Sequence, residues 1–204
     1  MFKMKKLSLF LLLNILYSFS FSFAQDIPTT IIKDEDMKGY KKKNFFQISV
    51  LSGFINPLFI LNDRYNASPS LGMDFAYRLN KETALFLEGN YIFLDNKDSL
   101  APSNTYFNIA VGTRFYFRAK GVRSSFFFEA AAGPYFFMQS SGVVDTTTYE
   151  SKTIGKMGLN AGMGGEMVLT NHLFVMIKAK YNYIMENKVT KSYVSGSVGL
   201  MVRF

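Results

Sequence analysis

The residues able to do chemistry are few and scattered. The single histidine, His172, is followed by Leu173 and Phe174, and no serine lies beside it in the sequence. Hydrolysis by a nucleophilic serine needs a histidine base within hydrogen-bond reach, so His172 reads as a surface turn residue. Glu88 and Glu129 have the type needed for paired acid and base work, but Arg and Lys of matching parity recur along the chain, and salt bridging is the reading they favour. The cluster of Gly162, Gly164 and Gly165 lies inside an alternating segment with no helix pattern after it, so the phosphate cradle that needs a loop and a following helix is not expected. Asn66, Ala67 and Ser68 form a glycosylation sequon whose meaning depends on the host. With no cysteine, there is neither a disulfide framework nor a thiolate metal site. The sequence therefore predicts no enzyme, no cofactor and no metal centre.

The elements that surround these residues begin with an export signal. Lys3, Lys5 and Lys6 precede an apolar run from Leu7, and the small residues Ser22 and Ala24 stand where a signal peptidase cuts. Residues 1–24 are expected to be a cleavable signal peptide. Residues 25–44 mix acids, lysines and Pro28 without a sustained period, and read as a flexible periplasmic lead-in. The formal charge of +8 is dispersed rather than clustered, which gives nucleic-acid binding no support. After residue 24 no apolar run approaches the roughly 18 residues of a spanning helix, yet the chain holds 22 Phe and 12 Tyr against 5 Pro. An exported, aromatic-rich chain of this kind points to strands.

From Phe45 onward the hydrophobic period is two. In TYFNIAVGTRFYFR, Phe107, Ile109, Val111, Thr113, Phe115 and Phe117 share one face, while Tyr106, Asn108, Ala110, Gly112, Arg114 and Tyr116 share the other. The pattern recurs in eight segments, about 45–54, 69–79, 84–94, 105–118, 125–139, 155–169, 173–185 and 192–204. Each is close to or above the roughly 9 to 11 residues that a tilted strand needs to cross a bilayer. Long and short connections alternate between the first six, as expected of long external loops and short periplasmic turns. The short turns fall at Asn80–Thr83, Ala119–Ser124 and around Asn171. The predicted fold is all-β, an eight-stranded antiparallel up-and-down transmembrane barrel over residues 45–204.

Which face is outside follows from volume. The apolar face carries no charge and is bulky, and an eight-stranded barrel has room inside only to be filled by side chains or to hold one small ligand. The bulky face must point out, and a charge-free exterior of that extent suits lipid. The other face is rich in Gly, Ala and Ser and carries Asp74, Glu88, Glu129 and Glu166 with Arg78, Arg114, Lys156, Lys178, Lys180 and Arg203. These ten are expected to form a charge network in the lumen, because an isolated buried charge costs far more than a paired one. Two alternatives stay open: a narrow pore for small solutes, and a soluble lipocalin-like carrier with the apolar face as its lining.

The final strand, SYVSGSVGLMVRF, matches the terminal assembly signal of outer-membrane barrels through Ser197, Gly199, Val202 and Phe204. On this ending and the strand architecture, residues 45–204 resemble the small eight-stranded outer-membrane family that includes the OmpA membrane domain and OmpX. The resemblance implies insertion by the barrel assembly machinery into the bacterial outer membrane as a monomer, contact with outer-membrane lipid and lipopolysaccharide, and a role in envelope integrity or surface interaction. The anchoring role of full-length OmpA proteins is not carried over. Binding to a surface partner is expected in the external loops, above all from about Ser140 to Ile154 with help from the stretch after the first strand. That main loop is rich in Val, Thr and Tyr, which favour strands, so its flanks are expected to prolong the fifth and sixth strands into a hairpin.

The terminal signal yields a direct test. Deleting Phe204, or Phe204→Asp, is expected to slow assembly and leave unfolded chain in the periplasm, followed as heat-modifiable barrel per cell. An unchanged yield would make the ending a coincidence.

Overall fold

A computed structural model describes residues 45–98, 102–117, 124–144, 147–170, 172–186 and 191–204. The expected signal peptide, the lead-in, most of the second short turn and Asn171 lie outside the described residues. The elements are β1 (Phe45–Phe59), α1 (Ile60–Arg64), β2 (Ser68–Arg78), β3 (Thr83–Leu94), β4 (Asn104–Phe117), β5 (Ser125–Gln139), β6 (Gly142–Val144), β7 (Thr147–Tyr149), β8 (Lys152–Val168), β9 (Leu173–Ile184) and β10 (Lys191–Arg203). Eight of the strands close into a barrel in the order β1, β10, β9, β8, β5, β4, β3, β2, and β6 pairs with β7 as a separate ribbon. Every barrel pair is antiparallel, and the seam between first and last strands runs from Gln47 opposite Arg203 to Phe59 opposite Lys191. A sheet closed in this way leaves no edge.

Two strand boundaries differ from those expected. β1 runs to Phe59 rather than ending near 54, and β8 begins at Lys152 rather than near 155. Asn56 and Pro57 have the composition of a turn, which hid the extension. The barrel accommodates the proline because pairing with β2 has already stopped at Ile55 opposite Ser68, so beyond that point β1 pairs with β10 alone. Phe59 then takes a left-handed conformation, φ 50°, unusual for a bulky residue. That turn swings α1 back across the barrel mouth.

The early start of β8 belongs to the loop hairpin. β5 and β8 stay paired as far as Gln139 opposite Lys152, and above them β6 and β7 pair from Gly142 opposite Tyr149 to Val144 opposite Thr147. Another proline marks the sheet itself. The ladder between β4 and β5 pairs Asn108 with Tyr135 and Val111 with Ala132 but skips the residues between, where Pro134 has no N–H to give.

Alternation sorts the side chains as the sequence predicts. The middle of the exterior is aliphatic, with Val50, Leu71, Met73, Leu87, Val111, Met163, Ile177 and Val198 all exposed. Aromatic residues flank this band at both ends. Phe46, Phe115, Phe117, Phe126, Phe128 and Phe204 lie toward the short turns, and Phe54, Tyr91, Phe93 and Tyr181 toward the long loops. Neighbouring strands bring rings together, with Phe117 and Phe128 meeting edge to face at 5.5 Å and Phe107 stacking on Phe136 at 6.3 Å. An apolar belt between two aromatic girdles is the exterior of a transmembrane barrel. The soluble carrier alternative fails on this geometry, because the apolar face lies outside.

Val111 is 61% exposed near the middle of β4. Val111→Arg is expected to destabilise the barrel by roughly 2 to 4 kcal/mol in bilayers, read from urea unfolding in lipid vesicles. A cost near zero would mean that this face meets water.

Candidate functional site

Below a cavity at the mouth, the lumen side chains pack in layers. At the centre of the lumen, Asp74 on β2 lies directly opposite Glu88 on β3. Like charges placed so repel, and the lysine of a strand across the barrel resolves the conflict. Lys178 Nζ donates to Asp74 Oδ2 at 2.9 Å and also to Glu88, and lies 3.5 Å from Glu129 Oε1. Lys180 donates to the other oxygen of Glu88. Arg114 completes the cluster, with Nη2 2.6 Å from Asp74 Oδ2 and Nε 2.9 Å from Glu129 Oε2. Arg114 also sits between the rings of Phe86 and Phe127, 4.7 and 4.5 Å from their centroids. Three acids thus meet three bases, nearly all fully buried.

The lysines reach inward because β8 gives way to them. A Cβ at Gly162 would lie 2.5 Å from Lys180 Cγ, so a side chain there would displace the lysine stem. Gly162 and Gly164 on the lumen face are packing residues, a Cβ at Gly164 lying 2.4 Å from the Phe127 ring, whereas Gly165 faces out in ordinary contact with Phe126.

Toward the short turns a second network surrounds Glu166. Arg203 Nη2 donates to its Oε2 at 3.1 Å, Tyr116 Oη donates to its Oε1 at 2.7 Å, and Arg78 Nη1 lies 3.8 Å away. Arg78 stacks 3.2 Å above the Tyr116 ring, while Arg203 lies against Phe45 and Phe174. Nine of the ten expected lumen charges thus fall into two networks. Lys156 joins neither. It stands on the correct face but higher, opposite Tyr135, where it lines a cavity at the mouth. Parity along a strand fixes the face and leaves the height unspecified, which is why the sequence grouped Lys156 with the rest.

Toward the long loops the lumen is closed by an apolar cluster of Ile55, Leu61, Tyr65, Ile92, Leu94, Tyr106, Tyr135, Ile184 and Tyr193. Leu61 comes from α1 and Tyr65 from the residue after it, so the first loop is a plug that enters the barrel. The plug is pinned from the side: Asn66 N–H donates to Asp95 O at 2.8 Å, Lys97 N–H donates to Arg64 O at 2.9 Å, and the Asn66 amide donates to Asp95 Oδ2 at 3.0 Å. Burial raises the Tyr65 hydroxyl above its ordinary range, against the opposing pull of Arg64, and keeps it neutral.

The assembly-signal residues lie on the seam. Ser197 is opposite Gly53 and Gly199 opposite Leu51, while Val202 and Phe204 face out. A Cβ on Gly199 would lie 2.8 Å from Leu51 Cα, so close strand approach also demands this glycine. Phe204 N–H donates to Phe46 O at 3.0 Å. His172 is exposed in its turn, with Nδ1 3.3 Å from Arg203 O. Among the described residues no group of three or more His, Cys, Asp and Glu is placed to hold a metal ion. Sequence reasoning missed Gln47, whose amide lies beside Glu166 and accepts from Tyr116, and it missed the Leu61 and Tyr65 plug. Alternation could have found Gln47, but nothing in ILNDR announces that a five-residue helix turns inward.

No protein-family model matches the chain. No curated protein matches it either. Among solved structures it is similar to Neisserial surface protein A, at 15% identity and TM-score 0.57 over 78% of this chain and 95% of that one. It is similar also to the outer membrane protein OprG of Pseudomonas aeruginosa, at 13% identity and TM-score 0.51 over 79% and 96%. The fold is that of the small eight-stranded outer-membrane β-barrels.

The central cluster has a measurable weight. Arg114→Met strips Asp74 and Glu129 of a shared cation and is expected to cost about 3 to 5 kcal/mol of unfolding free energy, measured with urea in vesicles. A loss below about 1 kcal/mol, the range of exposed pairs, would show that water reaches the cluster.

Proposed function

We propose that this protein is an integral barrel of the bacterial outer membrane, exported by its signal peptide and seated by the barrel assembly machinery as a monomer among outer-membrane lipid and lipopolysaccharide. Its role is structural or one of surface interaction, without catalysis, and its external loops present the binding surface. The observation that carries this reading is the layout of polarity. The belt is charge-free between aromatic girdles, the lumen charges bond to one another, and a cation-lined cavity opens at the loop end. A pore would need a hydrated path past Arg114 and Lys178, both nine-tenths or more buried and bonded to carboxylates, which counts against the channel alternative.

The β6–β7 ribbon is the part of the loops best shaped to pair with an extended partner strand, because it is two strands wide and neither edge pairs with another strand among the described residues. Replacing residues 141–150 with a short Gly-Ser linker spares the last barrel pair, Gln139 with Lys152. The shortened protein is expected to stay heat-modifiable and in the carbonate-washed outer-membrane fraction, while adhesion of intact cells falls. Release of the parent protein into the soluble fraction would sink the membrane assignment, and undiminished adhesion would sink the role of the ribbon.

A further inference from the structure

We propose that the loop-side cavity between α1, β8 and β10 binds a saccharide carrying phosphate or sulfate groups. The cavity is about 540 Å³, within the range of small-ligand sites. Its wall holds four cations, Arg64, Lys152, Lys156 and Lys191, against one carboxylate, Glu186. Glu186 is already engaged by Lys191 at 2.7 Å. Among the described residues no carboxylate lies within ion-pair distance of Arg64, Lys152 or Lys156. Deep in the lumen three bases meet three acids; at the mouth Arg64, Lys152 and Lys156 stand around a concave space with no ion-pair partner among the described residues. Such a wall focuses its field on an anion small enough to enter.

The other lining residues narrow the class. Phe137 is half-buried on the wall and packs on the buried Tyr106 at 5.3 Å between ring centroids, while Tyr65 and Tyr106 form the apolar floor. An aromatic face packs against the C–H face of a sugar ring, and the neighbouring ammonium groups form charge-assisted bonds to its phosphate or sulfate oxygens. The Gln139 amide, also on the wall, offers a neutral donor and acceptor for a hydroxyl. A simple inorganic anion would leave the Phe137 ring unused, and an acyl chain would leave the cations unpaired. The site is also preorganised. Lys152, Lys156 and Lys191 are carried by paired strands, opposite Gln139, Tyr135 and Phe59, and Arg64 stands on the pinned plug.

The inference rests on the surface-interaction reading above and adds the ligand class to it. Titration calorimetry of the folded full chain in detergent micelles with inositol hexakisphosphate, a polyanionic ring of sugar size, is expected to show one site per barrel whose affinity falls as salt rises. Uncharged inositol is expected not to bind. Lys152→Gln and Lys156→Gln should each weaken binding by about tenfold, the loss of one charge-assisted contact. Lys81→Gln removes the same charge at the opposite end of the barrel and should leave binding unchanged, and the heat shift on gels checks that each variant is folded. Competition by a phosphorylated lipopolysaccharide core oligosaccharide would place the ligand in the protein's own membrane surface, and competition by a sulfated glycan fragment would place it on a foreign one; either supports the site. Absence of binding, binding of inositol as tight as that of its hexakisphosphate, or equal weakening by Lys81→Gln overturns it. Failure here with the protein still in the outer membrane leaves the surface reading standing. Binding by a protein that fractionates as soluble supports the site and removes that reading.

Discussion

Arg114 and Lys178 hold three carboxylates in a space from which water is excluded, and most of the barrel can be understood as what that arrangement requires. A sheet of eight strands closes around too little room for two layers of large side chains. Glycine and alanine on the lumen face let the long cationic side chains lie across the axis, and the direct opposition of Asp74 and Glu88 is tolerable only because a lysine from the far wall sits between them. Charges buried this way are costly individually and acceptable when paired and hydrogen-bonded. The cluster therefore ties β2, β3, β4, β5 and β9 to one another through the interior, in addition to the ladder that runs around the wall.

The same molecule keeps a different balance at each level. Its belt has no charge, its centre sets three acids against three bases, and one cavity at its mouth gathers four cations around a single carboxylate. Lipid, a packed interior and a solute-facing surface impose these conditions in turn. The plug of Leu61 and Tyr65 separates the last two, so that the cations of the mouth cavity stand over an apolar floor, apart from the pairs beneath.

The alternation of large apolar and small or charged residues made the strands, their number and the inward face legible, since a period of two leaves little freedom once one face must meet lipid. The strand character of the loop above β5 and β8 was legible in its Val, Thr and Tyr, but the expected prolongation of those strands takes the form of a separate ribbon, β6 with β7. Which acid meets which base was not legible. Strands in a barrel are tilted and staggered, so residues that share a face can differ in height by several positions, as Lys156 and Lys178 do. The extension of β1 past Asn56 and Pro57 was hidden because a proline is acceptable where one flank of a strand has no partner, and that depends on where β2 begins. The inward turn of α1 depends on the backbone of Phe59 and on a neighbouring loop, neither of which leaves a periodic trace.

The seam sets the order in which the barrel can be built. All other ladders join strands that follow one another around the chain, whereas this one brings Gln47 against Arg203, and contacts so distant in sequence form slowly. Until they form, two unpaired edges flank sheets studded with phenylalanine, the combination most prone to recruit foreign strands. The electrostatics share this delay. Glu166 lies on β8, but the guanidinium 3.1 Å from it belongs to the strand that completes the seam. Zipping the ends together thus supplies a counter-charge along with the final hydrogen bonds, and the half-closed intermediate is short of both at once.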